Sequence, residues 1–438
     1  MFSTFTEQRH FIYPSKHTYA GVVINGNMAS HAPDGLAAFL LERTANQTYI
    51  IDPMTHAFQH DPSFVQDEKG EPKSSILGLA ESYGDLIYSL VGRAPLLPSH
   101  FSDKTVLKSF VENCLHFQAT IVSEAMAKAD AIKYFPDSPN LSPAAYIPPY
   151  FFLSESTWRR WLPLMLESAA ISREIVKQSK LFVAIVISKS LLGDDESITE
   201  IATHLLSLDV EGYALWVDNL DEHAASITLL RKFLSFADQL RKGGQREVIN
   251  LHGGYFSILA AGRAGDQVFT GVTHAPEFGE HRSVVPVGGG IPIARYYIPQ
   301  LHARERYRDA RSLFQRMGAL KNAITFHSLV CDCEECKVTI DGDSANFIRF
   351  GIGKTKEIRR GSGIVRLDFP TTETKLRCLR HYLNCKAREY DRSVSLSKAD
   401  LLLELQESED RYKALLGLDG VDHLYNWRMV FSNTSDRS

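Results

Sequence analysis

A chain of 438 residues with 44% hydrophobic and 23% charged content has the composition of a soluble globular protein, with room for two or three domains or one large α/β barrel and an appendage. Six cysteines in that length are too few for a disulfide scaffold and point to a reducing compartment and a metal. The formal net charge of −4 excludes a global pull toward nucleic acid, so any such surface must be a local patch.

The N-terminal stretch MFSTFTEQRHFIYPSKH has no apolar run of the signal-peptide kind. The most apolar stretch, LFVAIVIS at 181–188, is too short to span a bilayer and reads as a buried strand. The expectation is a cytoplasmic protein with no membrane partner.

In chain order, TYAGVVING (18–26) and TYIIDP (48–53) read as strands, separated by the helical run DGLAAFLLERTANQ. A long helical insertion follows over about 74–130. PAAYIPPYFFL (143–153) reads as a strand with proline at its start or edge. Four more strands follow at even spacing: LFVAIVIS, GYALWVDN (212–219), EVINLHGG (247–254) and QVFTGVT (267–273). Helical patterns such as ESITEIATHLLSL lie between them, and SVVPVGG (283–289) is available as an eighth strand. Apolar strands alternating with helices predict a parallel sheet covered by helices. About eight such units favour a (β/α)8 barrel over residues 1–300 rather than an open sheet.

From residue 301 to 438 the texture changes to charged helices around a cysteine cluster, and we read a separate metal-binding subdomain. CDCEEC (331–336) places Cys331, Cys333 and Cys336 within six positions. Zinc prefers four tetrahedral N/S ligands, so three thiolates leave one place to fill. In LRCLRHYLNCKARE, the residues Cys378, His381 and Cys385 share one helix face. His381 is the first choice, with Cys378 in reserve and Cys385 also open. A closed Cys3His set is structural rather than catalytic.

A barrel followed by CxCxxC and a later helical histidine resembles the tRNA-guanine transglycosylase family. RCLRHYL (377–383) is similar to that family's zinc helix, and HLYNW (423–427) to its last helix. EGYALWVDN and YFSILAAGRAGDQVFTG resemble segments of the second half of its barrel, and IIDPMTHAFQ (50–59) is a loose match to a segment whose aspartate touches the base. The resemblance implies a (β/α)8 barrel, a structural zinc, a homodimer formed through the zinc subdomain, and exchange of guanine for a 7-deazaguanine through a covalent aspartate intermediate. The chain departs from the family at the nucleophile: the corresponding position is near Thr270, with no acid adjacent and Glu277 the nearest downstream. The base-recognition loop is replaced by Ile187 and Ser188, and a basic, glycine-rich insert lengthens the stretch from Cys336 to His381.

At the C-terminal strand ends, where barrels place their sites, the sequence offers Asn25, Asp52, Tyr150, Ser188, Asp218, Asn219, His252, Thr273 and His274. A carboxylate there can hold the N–H edge of a guanine-like base or act as base or nucleophile. Asp52 and Asp218 are the catalytic candidates, each with a helix-cap or turn role as the alternative. Ser188, Asn219, His252 and His274 are candidate substrate contacts. Gly253 and Gly254, and the triple glycine at 288–290, allow close approach of a ring or phosphate to the backbone. The basic residues from Lys354 to Arg388 are a candidate grip for phosphates or a dimer-interface rim.

Two functional expectations follow. One is a glycosidic base-exchange enzyme acting on a tRNA, DNA or nucleotide. The other is a catalytically diverged homodimer that binds a modified-base partner or scaffolds a complex, in a setting such as bacterial antiphage defence.

Overall fold

The computed structural model describes residues 19–43, 48–128, 142–242, 245–274, 280–285, 293–360, 363–417 and 420–432. They fall into two compact units. The first comprises residues 19–253 and 267–285, the second residues 254–266 and 293–432.

In the first unit β1 (Gly21–Asn25) pairs in parallel with β2 (Thr48–Asp52), with Asn25 opposite Asp52. The helices α1 (Gly26–His31) and α2 (Pro33–Arg43) connect them. The helical insertion comprises α3 (Ser74–Ser82), α4 (Asp85–Leu90) and the long α5 (Lys104–Lys128). The stretch 143–153 is less regular than a full strand. It makes isolated parallel bridges, Ile50 to Ala145 and Tyr146 to Leu181, and only β3 (Phe152–Leu153) pairs as a strand. Pro143, Pro148 and Pro149 explain this, because each lacks the N–H a ladder needs. The Gln118 side chain of α5 substitutes, accepting from the Ile147 N–H at 2.9 Å and donating to the Ile147 carbonyl at 2.8 Å.

After α6 (Trp158–Val176), β4 (Phe182–Ile187) and β5 (Gly212–Val217) pair along their whole length and are buried on both faces. This is what near-continuous apolar strands under helices should do. Between them α7 (Asp195–Leu206) starts at Asp194, whose carboxylate accepts from the Ser197 N–H. Then come α8 (Ile227–Lys242) and β6 (Glu247–Asn250). The chain next enters α9 (Tyr255–Ala261), which belongs to the second unit, and returns for β7 (Gly271–Val272). The strand expected over 267–273 is shortened because Asp266 and Gln267 both hold positive φ, 53° and 56°, in a turn.

All these strands are parallel, and each neighbours the next in the chain: β1 and β2 in one ladder, β3 to β7 in another, with the Ala145 and Tyr146 bridges between. Sequential parallel order with helical crossovers makes this an α/β unit built on parallel strands. The stretch 283–289 leaves the described residues at 286. Among the described residues β7 pairs only with β6.

The second unit contains the antiparallel pair β8 (Arg295–Ile298) and β9 (Ala303–Arg306), then α10 (Tyr307–Arg316), α11 (Ala323–Leu329) and α12 (Glu334–Ile340). A hairpin of β10 (Gly353–Arg360) and β11 (Gly363–Pro370) leads into α13 (Thr372–Ser395), α14 (Lys398–Leu416) and α15 (Asp422–Ser432). Its core is aromatic: Tyr296 has Phe314, Phe347 and Phe350 edge-on at 5.6, 5.1 and 5.1 Å. The helix α9 is built into this unit. Tyr255 stacks on His302 at 3.4 Å, Phe256 meets Phe431 at 5.0 Å, and a Cβ on Gly262 would lie 2.4 Å from the Ser393 carbonyl oxygen. Among the described residues no helix is long and apolar enough to cross a membrane.

Candidate functional site

Parallel strands end at one edge, so the residues just past them collect there. Asp52, at the end of β2, is 1% exposed. Its Oδ1 accepts from the Tyr150 hydroxyl at 2.6 Å and from the Met54 N–H at 3.0 Å, whereas Oδ2 has no partner. Burial pushes the carboxyl above its ordinary range, and the bonds from Tyr150 and Met54 and the Arg282 charge only partly offset this. The bond to Met54 is a turn bond of the aspartate type, so the turn engages Oδ1 and leaves Oδ2 open. Met54 itself sits at φ 53°, a left-handed conformation that costs a non-glycine residue about 1–2 kcal/mol.

Tyr150 keeps its proton, because burial first and then the Asp52 charge raise its hydroxyl well above the usual range. That single proton goes to Asp52, so the His56 Nδ1 that lies 2.9 Å from the Tyr150 oxygen must donate to it. His56 Nε2 is then the acceptor nitrogen of a neutral ring. Burial, then His60 and Arg282, hold His56 well below the ordinary histidine range. His56 stands edge-on to Trp216 at 5.1 Å, and Trp216 meets His252 at 4.6 Å. The indole N–H donates to the Arg282 carbonyl at 3.1 Å, and the Arg282 guanidinium lies 6.0 Å from the indole ring centre.

His252 is buried with neither ring nitrogen hydrogen-bonded, and burial followed by the Arg282 charge keeps it neutral. Asn25, 1% exposed, has neither its amide nitrogen nor its oxygen engaged. Each buried polar group left unpaired costs about 1–3 kcal/mol. Asn25, Asp52 and His252 concentrate that cost along one strand edge, connected through Tyr150, His56 and Trp216. The edge offers a two-way amide, a carboxyl, a neutral imidazole and an indole wall, a set suited to a planar heterocycle with donors and acceptors on its rim.

The other residues singled out in the sequence are engaged elsewhere. Asp218 Oδ1 accepts from the Val284 N–H at 2.7 Å, and Asn219, at φ 48°, bonds the Arg282 carbonyl through its N–H and His281 Nδ1 through its side chain. Together they hold the segment that carries Arg282. Ser188 caps the short helix Lys189–Leu192, accepting from the Leu191 N–H and donating to Glu155. The Gly253 N–H donates to the Thr273 carbonyl, and His274 Nδ1 lies 2.6 Å from the Gly253 carbonyl oxygen. Gly254 precedes α9 in the second unit. The Thr270 hydroxyl both accepts from the Val248 N–H and donates to the Val248 carbonyl, so it completes the sheet. Glu277 and the triple glycine at 288–290 lie outside the described residues.

His56, Trp216 and Arg282 were missed in the sequence. Trp216 had a signal, since it lies two residues before Asp218 and so shares its face. His56 follows Asp52 by four residues in the turn. Arg282 comes from a segment with no periodic pattern.

In the second unit Cys331, Cys333, Cys336 and His381 are all buried, and their ligand atoms lie within 4.8 Å of one another. Cys331 and Cys333 precede α12, Cys336 lies in its first turn, and His381 comes from α13. His381 Nδ1 is 3.3 Å from Cys333 Sγ and 3.4 Å from Cys336 Sγ. A tetrahedral zinc with ordinary Zn–S and Zn–N bonds sets that separation at about 3.5 Å. His381 Nε2 lies 2.6 Å from the Tyr297 carbonyl oxygen, which makes it the donor nitrogen and turns the Nδ1 lone pair toward the sulfurs. Hydrogen bonding among the sulfurs, from Cys333 first, holds Cys331 well below the ordinary thiol range. Burial first, and the same neighbours next, push Cys336 well above it. Sulfurs packed this closely ionise together only around a cation, so the donor set fits a metal ion.

Cys378 turns away, donating to the Phe350 carbonyl at 3.4 Å. Cys385 stays beside the cluster, 3.9 Å from Cys331 Sγ and 3.6 Å from His381 Nδ1. The basic run divides. Arg377, Arg380 and Arg388 pair with Glu373, Glu335 and Asp332, while Lys354 and Lys356 lie exposed on the hairpin.

Comparison of the chain with family models, curated proteins and solved structures gave no match in any of the three.

Proposed function

We propose that the strand-end site of the first unit binds a guanine-type base, guanine or a 7-deazaguanine, carried by a nucleic acid or nucleotide. The observation that carries this reading is the unpartnered Oδ2 of Asp52, buried opposite Asn25 and joined through Tyr150 and His56 to the Trp216 wall. Guanine presents two adjacent N–H donors that a carboxylate accepts, and carbonyl and ring-nitrogen acceptors that an amide or imidazole serves.

In this reading the parallel strands are the wall of a (β/α)8 barrel of the tRNA-guanine transglycosylase type. The Cys3His cluster holds a structural zinc whose four protein ligands leave no place for substrate. The second unit forms the homodimer contact. Base exchange at the glycosidic bond would use Asp52 as base or nucleophile.

A second reading, recognition of the base without turnover, is favoured by Thr270 and Asp218. The threonine hydroxyl is committed to the sheet, and the aspartate has one oxygen bound by the Val284 N–H. Isothermal titration with guanine and with 7-deazaguanine tests the site, using Asp52→Asn as the control. Transfer of labelled guanine into tRNA or DNA separates the two readings: binding with transfer supports exchange, and binding without it supports recognition alone. Absence of binding to either base refutes the proposal.

A further inference from the structure

The insert between Cys336 and His381 carries a hairpin, β10 and β11, whose two faces differ in charge. Two-stranded sheets are marginal in water unless something covers a face. Register and the alternation of side chains place Lys354, Lys356, Ile358, Val365, Leu367 and Phe369 together on one face. That face has no acidic residue. Ile358, Leu367 and Phe369 are half-buried, Val365 is 40% exposed, and the Lys356 ammonium lies 5.4 Å from the Phe369 ring centre. Both acids of the hairpin are on the opposite face and are already paired: Glu357 with Arg366 at 2.9 Å, and Asp368 with Thr355 at 2.7 Å. Charge segregation of this kind leaves one face cationic and apolar while the other is neutralised.

We infer that the Lys354–Lys356 face of the hairpin is a nucleic-acid interface, its lysines on phosphates and its apolar side chains against exposed bases. Aromatic and aliphatic surface interleaved with lysine is the composition that single-stranded nucleic acid uses for stacking and backbone contact. A second copy of the chain fits less well. An isologous pairing of this face brings the Lys354 and Lys356 ammoniums of both copies into one interface with no acidic residue of the face to pair them. The inference deepens the base-binding reading, which supplies what the polymer carries, but its test does not depend on that reading.

The test measures fluorescence anisotropy of labelled tRNA and of labelled single-stranded DNA with the full-length protein, between about 50 and 200 mM salt. The double variant K354Q/K356Q is expected to weaken binding to one or both probes about tenfold. Its plot of log affinity against log salt should be shallower by roughly 1–2. E357Q/R366Q, which removes the ion pair from the other face at no net charge, should bind as wild type. Isothermal titration of K354Q/K356Q with free guanine should match wild type, which separates failure of the hairpin from failure of the base site. Unchanged metal content in each variant shows that the unit has folded. The inference is overturned if the wild type binds neither probe or if K354Q/K356Q binds like wild type. It is also overturned if sedimentation shows that K354Q/K356Q changes self-association while nucleic-acid affinity holds.

Discussion

Replacing Glu389 by glutamine removes one negative charge from a buried ionic group of the second unit. The Lys386 ammonium, with its side chain fully buried, lies 3.0 Å from Glu389 Oε2 and donates to the Tyr297 hydroxyl at 2.9 Å. Glu389 Oε1 in turn accepts from that hydroxyl at 2.5 Å and lies 2.7 Å from His302 Nδ1. Burial alone would raise the carboxyl, but Lys386, His302 and Tyr297 outweigh it and bring Glu389 from 4.5 down to about 2. A depression of that size is worth about 3 kcal/mol at neutral pH. Because the folded value is the lower one, the contribution is complete above the unfolded value and is lost as pH falls through 4.5 toward 2. Glutamine also leaves the Lys386 charge buried without a counter-ion, so the total cost should be about 3–5 kcal/mol near neutral pH.

Urea titration with hydrogen exchange read on α13 peptides measures this in the unit concerned. The difference between wild type and Glu389→Gln should narrow as pH falls below about 4. The double change Lys386→Met with Glu389→Leu should recover most of the loss, since a buried pair and an apolar pair of similar volume differ little. A cost below about 1 kcal/mol near neutral pH, or a difference that does not narrow in acid, refutes the reasoning.

Elemental analysis should find metal in the wild type and in Cys378→Ser, whose thiol faces the Phe350 carbonyl, but not in Cys333→Ser, which should also lower the stability of the second unit. Asp52→Asn should abolish guanine binding and raise the melting temperature near neutral pH. Its carboxyl is raised by burial, so the charged form opposes folding there, and asparagine still accepts the bonds from Tyr150 and Met54. Tyr150→Phe should cost about 1–2 kcal/mol in denaturant titration by removing the donor to Asp52 and the acceptor for His56. Gly262→Ala should destabilise the second unit by more than 1 kcal/mol in the same assay, as its Cβ would meet the Ser393 backbone.

The elements most legible in the sequence were those with uninterrupted apolar runs. LFVAIVIS and GYALWVDN became β4 and β5, buried on both faces. The cysteine cluster was legible for a different reason: ligand spacing is local, and the entry into α12 brings Cys331, Cys333 and Cys336 together. His381 was the first choice among three residues on one helix face, and the rotation of α13 sets it, rather than Cys378, against the sulfurs. The irregular 143–153 stretch was harder to read, because a side chain from α5 replaces the ladder partner and no local pattern announces it. At the strand edge, the positions of Asp52 and His252 followed from strand ends. Which of the polar residues there would have unengaged atoms depended on contacts far apart in sequence, such as Asp218 with Val284.

The excursion of residues 254–266 into the second unit has a practical consequence for dissecting the molecule. A protein truncated near residue 290 would keep α9 but lose His302, Ser393 and Phe431, the groups against which Tyr255, Gly262 and Phe256 pack. The fragment beginning there would lack α9 and expose the same apolar surface from the other side. Neither half is a complete folding unit. On a ribosome Phe256 must wait for Phe431, and Gly262 for Ser393, until more than a hundred later residues have been made. Expression of the separated halves should therefore yield aggregates, and an independent second unit would have to carry residues 254–266 grafted to its own chain.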